Sequence, residues 1–476
     1  MVASVFVLAN FYEVLPFTPL WELAVVLPVV LLLTWVLVRA CSLAFRGVPY
    51  KGAMLASVFI LSFCFFGNYQ FGLQQLLKFL SFGGTLRARY MFGGFLFLVA
   101  LMVWWLMRTR RDLRPVKRYL NWTGTFAVVF TVAKCFYSQF TLPAPSPTPP
   151  STEVPPKLQA SQASPDIYYI LTDAYTSNES LKQFWGYDNS PFTGFLTNRG
   201  FVVVPDAKGN YTSTILCMPA SLNMEYPSLP PEWYSEFSDM RWYCKKIHDA
   251  RVVPQLQSAG YEFINLSLFD MDGRKKYYKS MFFDSGSLAN ILLDRTVIGY
   301  FRTYFGQLGQ GQVNLKIFRR LSELAGEPSQ HPRFVYAHLM MPHRPYLFDR
   351  HGKPAKDGMK LAPDKNAYLE QLLYVNQLVT NVVSDILTRS KTPPIIVLQG
   401  DHGFRYLPDA NRSLEAPTIL NAYHLPGGRP DWVYQGITPV NSFRMIFNHY
   451  FGTHYDYLPD VQLSVTDEPP GPRLKK

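Results

Sequence analysis

The residues of this sequence that could most readily perform chemistry are Asp401 and His402, which stand in the run Gly-Asp-His-Gly. They directly follow the apolar segment 395–398. Flanking glycines would give the backbone the freedom to turn a carboxylate and an imidazole toward one point. Such a donor set suits a divalent cation, Zn²⁺ or Mn²⁺ by preference and Ca²⁺ or Mg²⁺ as alternatives. We therefore predict one metal ion bound at this place.

Two other apolar segments also end in residues of metal-ligand type. Asp173 follows segment 167–171, and His338 and His343 follow segment 334–337. Each alone has an ordinary explanation, because an Asp after a strand is usually a helix cap and a lone His is usually a satisfied side chain. Three such endings in one chain favour a shared site over three unrelated residues.

A row of hydroxyl side chains precedes an apolar helical pattern farther along the same half. Thr212, Ser213 and Thr214 stand where that helix would begin. A hydroxyl at a helix N-terminus and beside a cation has its ionised form stabilised, which suits a nucleophile. The alternative is an ordinary N-cap, and the sequence leaves open which of the three would act.

The elements that must position these residues alternate between strand and helix. Segment 366–389 has apolar residues at helical spacing, which predicts a long amphipathic helix. This alternation predicts an α/β domain, a mostly parallel sheet with helices on both faces. In such sheets ligands bind beyond the carboxyl ends of the strands. The predicted strands are 167–171, 201–204, 261–266, 334–337 and 395–398.

The N-terminal part of the chain is of another kind, a predicted α-helical bundle of about four transmembrane spans. Thirteen Lys and Arg against three acidic residues precede residue 141, so this part carries +10 of the net charge of +12. The nearly neutral remainder excludes a broad surface for nucleic acid. By the positive-inside rule, the basic loops after the first and third spans are cytoplasmic. The predicted spans are 23–38, 52–66, 90–107 and 122–137.

These patterns predict a multi-pass protein of the cell membrane whose catalytic domain is extracytoplasmic. The predicted divisions are a transmembrane domain at 1–140, a Pro-rich linker at 141–165, a catalytic domain at 166–462 and a tail at 463–476. A linker rich in Pro, Ser and Thr cannot form a core and acts as a spacer. The expected partners are the bilayer and a lipid or glycan substrate at its surface.

The cysteines are few and show no metal-binding spacing. Cys217 and Cys244 lie in the predicted catalytic half, where a disulfide between them is one alternative in an oxidising compartment. The other alternative is two unpaired thiols.

Four segments together resemble the alkaline phosphatase/sulfatase superfamily. They read PDIYYILTDAY, NYTSTILCMP, HLMMPHRPY and LQGDHG. The similarity is to its membrane-anchored branch, which includes lipoteichoic acid synthases and lipid A phosphoethanolamine transferases. It implies an alkaline phosphatase-like fold, and a two-step transfer or hydrolysis of phosphate-type esters through a covalent intermediate.

The resemblance also implies roles for individual residues. Thr214 takes the nucleophile position, because T-x-x-C-x-P here matches the T-x-x-S-x-P of the transferases. The implied metal ligands are Asp173, Thr214, Asp401 and His402. His343 would hold the phosphate oxygens of the substrate, with His338 assisting or lying behind the ligands.

Two departures from the superfamily pattern narrow the expected chemistry. Sulfatases use C-x-P-x-R, but Ser221 stands where the arginine belongs, which disfavours sulfate-ester hydrolysis through Cys217. Asp349 and His351 are offset from a second metal set, so one metal is expected. The remaining alternatives are a sulfatase, an inactive membrane-tethered binding protein and, least favoured, a transporter.

Overall fold

The computed structural model of the chain describes two compact units. The first contains Met1–Pro150, Ser235–Ser238 and Ser285–Phe305, and the second contains the rest of the chain. The residues that the structure describes are 2–13, 20–43, 45, 48–67, 69, 72–73, 76, 88–141, 158, 164–227, 238–277, 288–355, 363–427 and 430–463. Most of the predicted linker and nearly all of the predicted tail lie outside these ranges, and the predicted domain boundaries stay predictions.

The first unit is built from helices that pack in alternating directions. One apolar cluster joins the end of α2, the start of α3 and the end of α4, and a second joins α1, the start of α2 and the ends of α3 and α5. Lys51 near the start of α3 donates to the Thr109 carbonyl just beyond α4, at 2.6 Å. The helices are α1 Val2–Glu13, α2 Leu20–Leu43, α3 Pro49–Cys64, α4 Ala88–Arg108 and α5 Arg114–Thr141.

Helices thus occupy all four segments predicted as spans, but they differ in length and apolarity. Among the described residues one helix, Leu20–Leu43, is long and apolar enough to cross a membrane, with a mean hydropathy of 2.4 in its most apolar window. Tyr50–Cys64 and Phe92–Arg108 are apolar but shorter. The four-span bundle therefore stays a prediction.

The second unit contains a six-stranded sheet with the order β2-β6-β5-β1-β4-β3. β1 lies between β4 and β5 and is parallel to both, and β3 is parallel to β4. β6 is antiparallel to β5 and to β2. The sheet is therefore mixed, although five strands share one direction. The strands are β1 Ile167–Thr172, β2 Phe201–Val203, β3 Glu262–Leu266, β4 Arg333–Leu339, β5 Ile395–Gln399 and β6 Asn421–His424.

Each face of the sheet carries its own apolar layer, as predicted for an α/β domain. Alternate side chains of β1 point to opposite layers, Tyr169 to one and Tyr168 to the other. Every residue of β1, β4 and β5 is buried, as expected for central strands covered on both sides.

The helices of the chain beyond β1 vary widely in length. They are α6 Ser190–Asn198, α7 Thr214–Asn223, α8 Ser238–His248, α9 Val252–Ser258, α10 Leu288–Arg295, α11 Val297–Gly326, α12 Lys365–Arg389, α13 Asp409–Glu415 and α14 Pro439–Tyr450. Two single turns, Asn178–Ser180 and Leu181–Trp185, follow β1, and Pro430–Trp432 is a short 3-10 helix.

Candidate active site

The carboxyl ends of three adjacent strands bring the predicted ligands together. Asp173 follows β1, Asp401 and His402 follow β5, and the side chain of His338 projects from the end of β4. Asp173, Asp401 and His402 are buried, and each offers one ligand atom within 4.8 Å of the others. Parallel pairing of β1 with both neighbours places these residues at one edge of the sheet.

The Thr214 hydroxyl lies in the middle of this group. Its Oγ1 donates to Asp401 Oδ2 at 2.6 Å and lies 3.4 Å from both Asp173 Oδ2 and His402 Nε2. Thr214 is the first residue of α7, and Ser213 is its N-cap. Of the three candidate hydroxyls, that of Thr214 is therefore the one with direct contacts to the cluster. Thr212 is exposed, and its carbonyl accepts a hydrogen bond from Arg405.

The orientation of each ligand is fixed by atoms that face away from the group. Asp401 Oδ1 accepts the Ala174 and His402 backbone N–H groups at 3.0 and 2.9 Å, which leaves Oδ2 for Thr214. His402 Nδ1 lies 2.7 Å from the Gly403 carbonyl and acts as the donor in that contact. The lone pair of Nε2 then faces the carboxylates, which is the arrangement a metal-binding histidine needs.

The donor set also passes a test of fit for a cation. Asp173 Oδ1 is buried and accepts no hydrogen bond from the residues described, with His402 Nε2 at 3.7 Å. A buried carboxylate oxygen without a partner is costly unless a cation or water satisfies it. Together with an unprotonated imidazole nitrogen, this oxygen suits a divalent metal ion.

His338 contacts the carboxylate of Asp173 and helps to hold it in place. The Tyr336 hydroxyl lies 2.9 Å from His338 Nδ1, and His338 Nε2 lies 3.3 Å from Asp173 Oδ2. His338 is fully buried. Burial acts to raise the pKa of Asp173, but His343, the hydrogen bond from His338, and His402 outweigh it and lower that pKa.

His343 lies on the other side of His402, with 6.2 Å between the two ring centroids. Its backbone N–H donates to the Asp173 carbonyl at 3.0 Å, and its Nδ1 lies 2.6 Å from the Arg344 carbonyl. Burial, followed in effect by the nearby Arg405 charge, lowers the pKa of His343 to about 4 despite the opposing pull of Asp173. The imidazole is therefore neutral at pH 7.

Arg405 is a site residue that the sequence analysis missed. Its guanidinium donates to the Thr212 carbonyl at 2.9 Å and lies 3.5 Å from His343 Nε2. Its backbone has φ 52°, a left-handed conformation that is strained for arginine. Glu415 holds this turn by accepting the backbone N–H groups of Phe404 and Arg405. The sequence did contain one indication of this role, because Arg405 lies only three residues after His402 and in the same loop.

The glycines around Asp401-His402 have a different purpose from the predicted one. A Cβ on Gly400 would lie 2.3 Å from the Tyr175 carbonyl oxygen, and one on Gly403 would lie 2.5 Å from the Glu415 carbonyl oxygen. These residues are glycine because other segments of backbone pack directly against them. The expectation that they supply conformational freedom is wrong.

Cys217 lies one turn into α7 and faces the protein interior. Its thiol donates to the Tyr211 carbonyl at 3.3 Å, and burial raises its pKa well above the usual value. Ser221 is buried too and donates to the Cys217 carbonyl within the helix. The structure does not join Cys217 to Cys244, so the disulfide alternative is wrong.

The offset pair Asp349 and His351 lies in a turn away from the ligand group. Asp349 Oδ1 accepts the backbone N–H groups of His351 and Lys353. In the described part of the chain, one group of three ligand-type residues is close enough to hold a metal ion, namely Asp173, Asp401 and His402.

A hydroxyl held among two carboxylates and an imidazole at the strand ends is an arrangement that can support nucleophilic attack on an ester. The family model of sulfatases matches residues 165–443, which is more than half of the chain. The chain belongs to the sulfatase family and is an enzyme of the alkaline phosphatase superfamily. This family acts by transfer or hydrolysis of phosphate or sulfate esters.

Several solved structures resemble the chain at low identity. The C-terminal periplasmic domain of EcEptC from Escherichia coli, in complex with Zn, is 11% identical, with 66% of this chain and 92% of that one covered and a TM-score of 0.41. Lipooligosaccharide phosphoethanolamine transferase A from Neisseria meningitidis is 13% identical over 76% and 69%, with a TM-score of 0.36. The lipoteichoic acid synthase LtaP from Listeria monocytogenes is 13% identical over 60% and 73%, with a TM-score of 0.37. No curated protein matches significantly.

Proposed function

We propose that this protein is a membrane-anchored enzyme that transfers or hydrolyses phosphate-type esters of a lipid or envelope glycan, with Thr214 as its nucleophile. The observation that carries the proposal is the placement of Thr214 Oγ1, 2.6 Å from Asp401 and 3.4 Å from Asp173 and His402. Structural N-caps accept a backbone N–H with their side chains, whereas this hydroxyl donates to a buried carboxylate.

Asp173, Asp401 and His402 are the proposed ligands of one divalent cation, with Thr214 as a fourth. When bound, such a cation would lower the pKa of the Thr214 hydroxyl and neutralise charge on a phosphate oxygen. The other proposed contributions belong to the protein's own residues. Asp401 Oδ2 takes the hydroxyl proton as the bond between Oγ1 and phosphorus forms and the bond to the leaving alcohol breaks. The proton taken by Asp401 passes to the leaving alcohol. Water or a second alcohol then attacks phosphorus, the bond from phosphorus to Oγ1 breaks, and the proton lost by the attacking hydroxyl returns to Oγ1 through Asp401.

Arg405 and His343 are the proposed phosphate-binding residues. A guanidinium presents N–H donors in a planar fork that matches phosphate oxygens. Here the guanidinium of Arg405 contacts both the Thr212 carbonyl and His343, and Thr212 is two residues before the proposed nucleophile in the chain. A neutral His343 leaves the positive charge of this surface to Arg405 and to the N-terminal end of α7.

The sulfatase alternative loses support from the position of Cys217. A thiol converted to formylglycine would have to reach the ligand group, but Cys217 donates inward to Tyr211. The residue in the position of the sulfatase arginine, Ser221, is bound inside the helix. Both observations favour a threonine nucleophile that acts on a phosphate ester over a cysteine-derived nucleophile that acts on a sulfate ester.

The deciding experiment is to trap the covalent group on the protein. The full-length enzyme, supplied with Zn²⁺ or Mn²⁺, is incubated with vesicles of phosphatidylethanolamine or phosphatidylglycerol and analysed by peptide mass spectrometry. We expect an adduct on Thr214 whose mass identifies the transferred group, lost in Thr214→Ala and kept in Thr212→Ala and Ser213→Ala. An adduct that persists in Thr214→Ala would refute the assignment, and formylglycine at Cys217 would favour the sulfatase.

A further inference from the structure

The segment between β3 and β4 contains two helices that pack with the N-terminal helices. α10 and the first turns of α11 belong to the first unit, although they lie in the chain between two strands of the second. Leu288 and Leu292 of α10 join the apolar cluster that contains Phe6 of α1 and Cys64 of α3. The Glu22 carboxylate, in the first turn of α2, accepts the backbone N–H of Leu288 and so satisfies the N-terminus of α10.

This docking occurs at one end of the helices. Glu22 is at the start of α2, Cys64 at the end of α3 and Cys135 near the end of α5. Phe301 of α11 packs edge-on against Phe92, near the start of α4, with 5.3 Å between ring centroids. The positive-inside rule predicts that this same end of the helices faces away from the cytoplasm.

A tight elbow joins α10 to α11. Thr296 is buried, its hydroxyl donates to the Leu293 carbonyl at 2.7 Å, and it accepts the Ile298 backbone N–H at 3.1 Å. A Cβ on Gly299 would lie 2.0 Å from the Asp294 carbonyl oxygen. These contacts fix the elbow in a shape that places Leu293 and Ile298 outward.

The outward side of the elbow is apolar. Leu293, Ile298 and Phe301 are between 37% and 41% exposed, and exposed apolar residues that cluster on a surface mark sites of interaction. Trp21 of α2 and Tyr90 of α4 are exposed at the same end of the unit, each close in sequence to a residue that contacts the elbow, Glu22 and Phe92. Trp and Tyr are the residues that membrane proteins concentrate at the headgroup level.

We propose that the elbow, residues 288–301, is a membrane-surface element whose Leu293, Ile298 and Phe301 enter the outer leaflet at the boundary between headgroups and acyl chains. The inference rests on the proposed membrane location of the N-terminal helices. The occupant is lipid, because the elbow packs beside the start of α2, the helix long and apolar enough to cross a membrane. Amphipathic elements of this kind lie roughly 5–10 Å deep in the interface.

Depth-dependent quenching in full-length protein tests this directly. Leu293→Cys, Ile298→Cys and Phe301→Cys are each labelled with an environment-sensitive fluorophore and reconstituted into phospholipid vesicles. Nitroxide lipids carry the quencher either at the headgroup or deep in the acyl chain. We expect stronger quenching by the headgroup nitroxide at all three positions, with a blue-shifted emission. The five native cysteines are buried, and labelled wild-type protein gives their background.

Two matched leucines calibrate the measurement. Leu32 in the middle of α2 is 61% exposed and should be quenched more by the deep nitroxide, and Leu414 in the second unit is 58% exposed and should be quenched by neither. Elbow labels that behave like the Leu414 label would refute the proposal. So would labels shielded from both nitroxides and from aqueous iodide, which would indicate coverage by protein or by a second copy of the chain.

The test also separates this proposal from the proposed function. If the Leu32 label escapes the deep nitroxide, the membrane location fails and the elbow proposal fails with it. No step of the measurement requires turnover, so an enzyme without the proposed activity would still give the expected quenching. Unfolding curves of the labelled variants, compared with that of wild type, show whether the fold is retained.

Discussion

Replacing Asp173 by asparagine should reduce the stability that a divalent cation adds to the protein. Asp173 and Asp401 are both buried, and their ligand atoms lie within 4.8 Å of each other. Two negative charges at this separation repel by about 3.5 kcal/mol at an effective dielectric constant of about 20. A divalent cation between the two carboxylates cancels this repulsion. Without a cation, Asp173→Asn removes the repulsion, but it also removes a charge that the surrounding groups stabilise, as the lowered pKa of Asp173 shows, so the two effects oppose each other.

The expected result is a difference between wild type and variant in how far metal raises the unfolding temperature. At roughly 2 °C per kcal/mol for a domain of this size, metal in hundredfold excess over Kd should raise that of wild type by about 5 °C. With Zn²⁺ or Mn²⁺ in excess, wild type gains the free energy of binding, about 2.7 kcal/mol at a hundredfold excess over Kd. The variant should gain much less, because one of its two charged ligands is gone.

Thermal unfolding of the detergent-solubilised protein, followed by intrinsic fluorescence in chelator and in each metal, measures both effects. Asp349→Asn is the matched control, because this carboxylate lies outside the ligand group and accepts backbone N–H groups in its own turn. Its unfolding should respond to metal as wild type does. If Asp173→Asn is destabilised equally with and without metal, Asp173 has only a structural role and the proposed cation site is refuted.

Three further predictions concern turnover of a phospholipid substrate by folded protein, and each has its own measurement. Thr214→Ala should lose detectable turnover while Thr214→Ser keeps a measurable part, because the serine hydroxyl can still donate to Asp401; equal activity of the two would contradict a nucleophilic role. Arg405→Lys keeps the charge but loses the planar fork, so kcat/KM should fall by roughly a hundredfold, whereas an unchanged value would remove Arg405 from the site. Cys217→Ala should keep activity within a few-fold of wild type. A folded variant without turnover would instead support the sulfatase alternative, in which the nucleophile derives from Cys217.

Much of the site could be predicted because strands and their endings are local features of the sequence. The segment 395–398 is apolar and short, and Asp401-His402 follows it, so the position of the pair on a strand end needed no tertiary information. Parallel strands of one sheet end at the same edge, which is why Asp173 and Asp401 could be expected to meet. The long helix predicted at 366–389 is observed as Lys365–Arg389, since its apolar spacing extends over six turns.

The parts that were missed depend on contacts between distant segments. β6, Asn421–His424, has four residues, and its place as an antiparallel strand beside β5 depends on pairing that its own pattern does not indicate. Arg405 belongs to the site because Glu415 holds its strained turn, ten residues farther along the chain. No prediction was made for the elbow of α10 and α11. Its packing on α1 and α2, which places it in the N-terminal unit, depends on contacts between segments far apart in the chain.

The turn after β1 gives an independent reason to expect one cation and not two. Ala174 follows Asp173 in a left-handed conformation with φ 61°. Its backbone N–H donates to Asp401 Oδ1, so the position orients an existing ligand and adds no third carboxylate. The two carboxylates match the charge of a single divalent ion, and a second ion would remain uncompensated in a buried site. We therefore expect one metal ion beside the Thr214 hydroxyl.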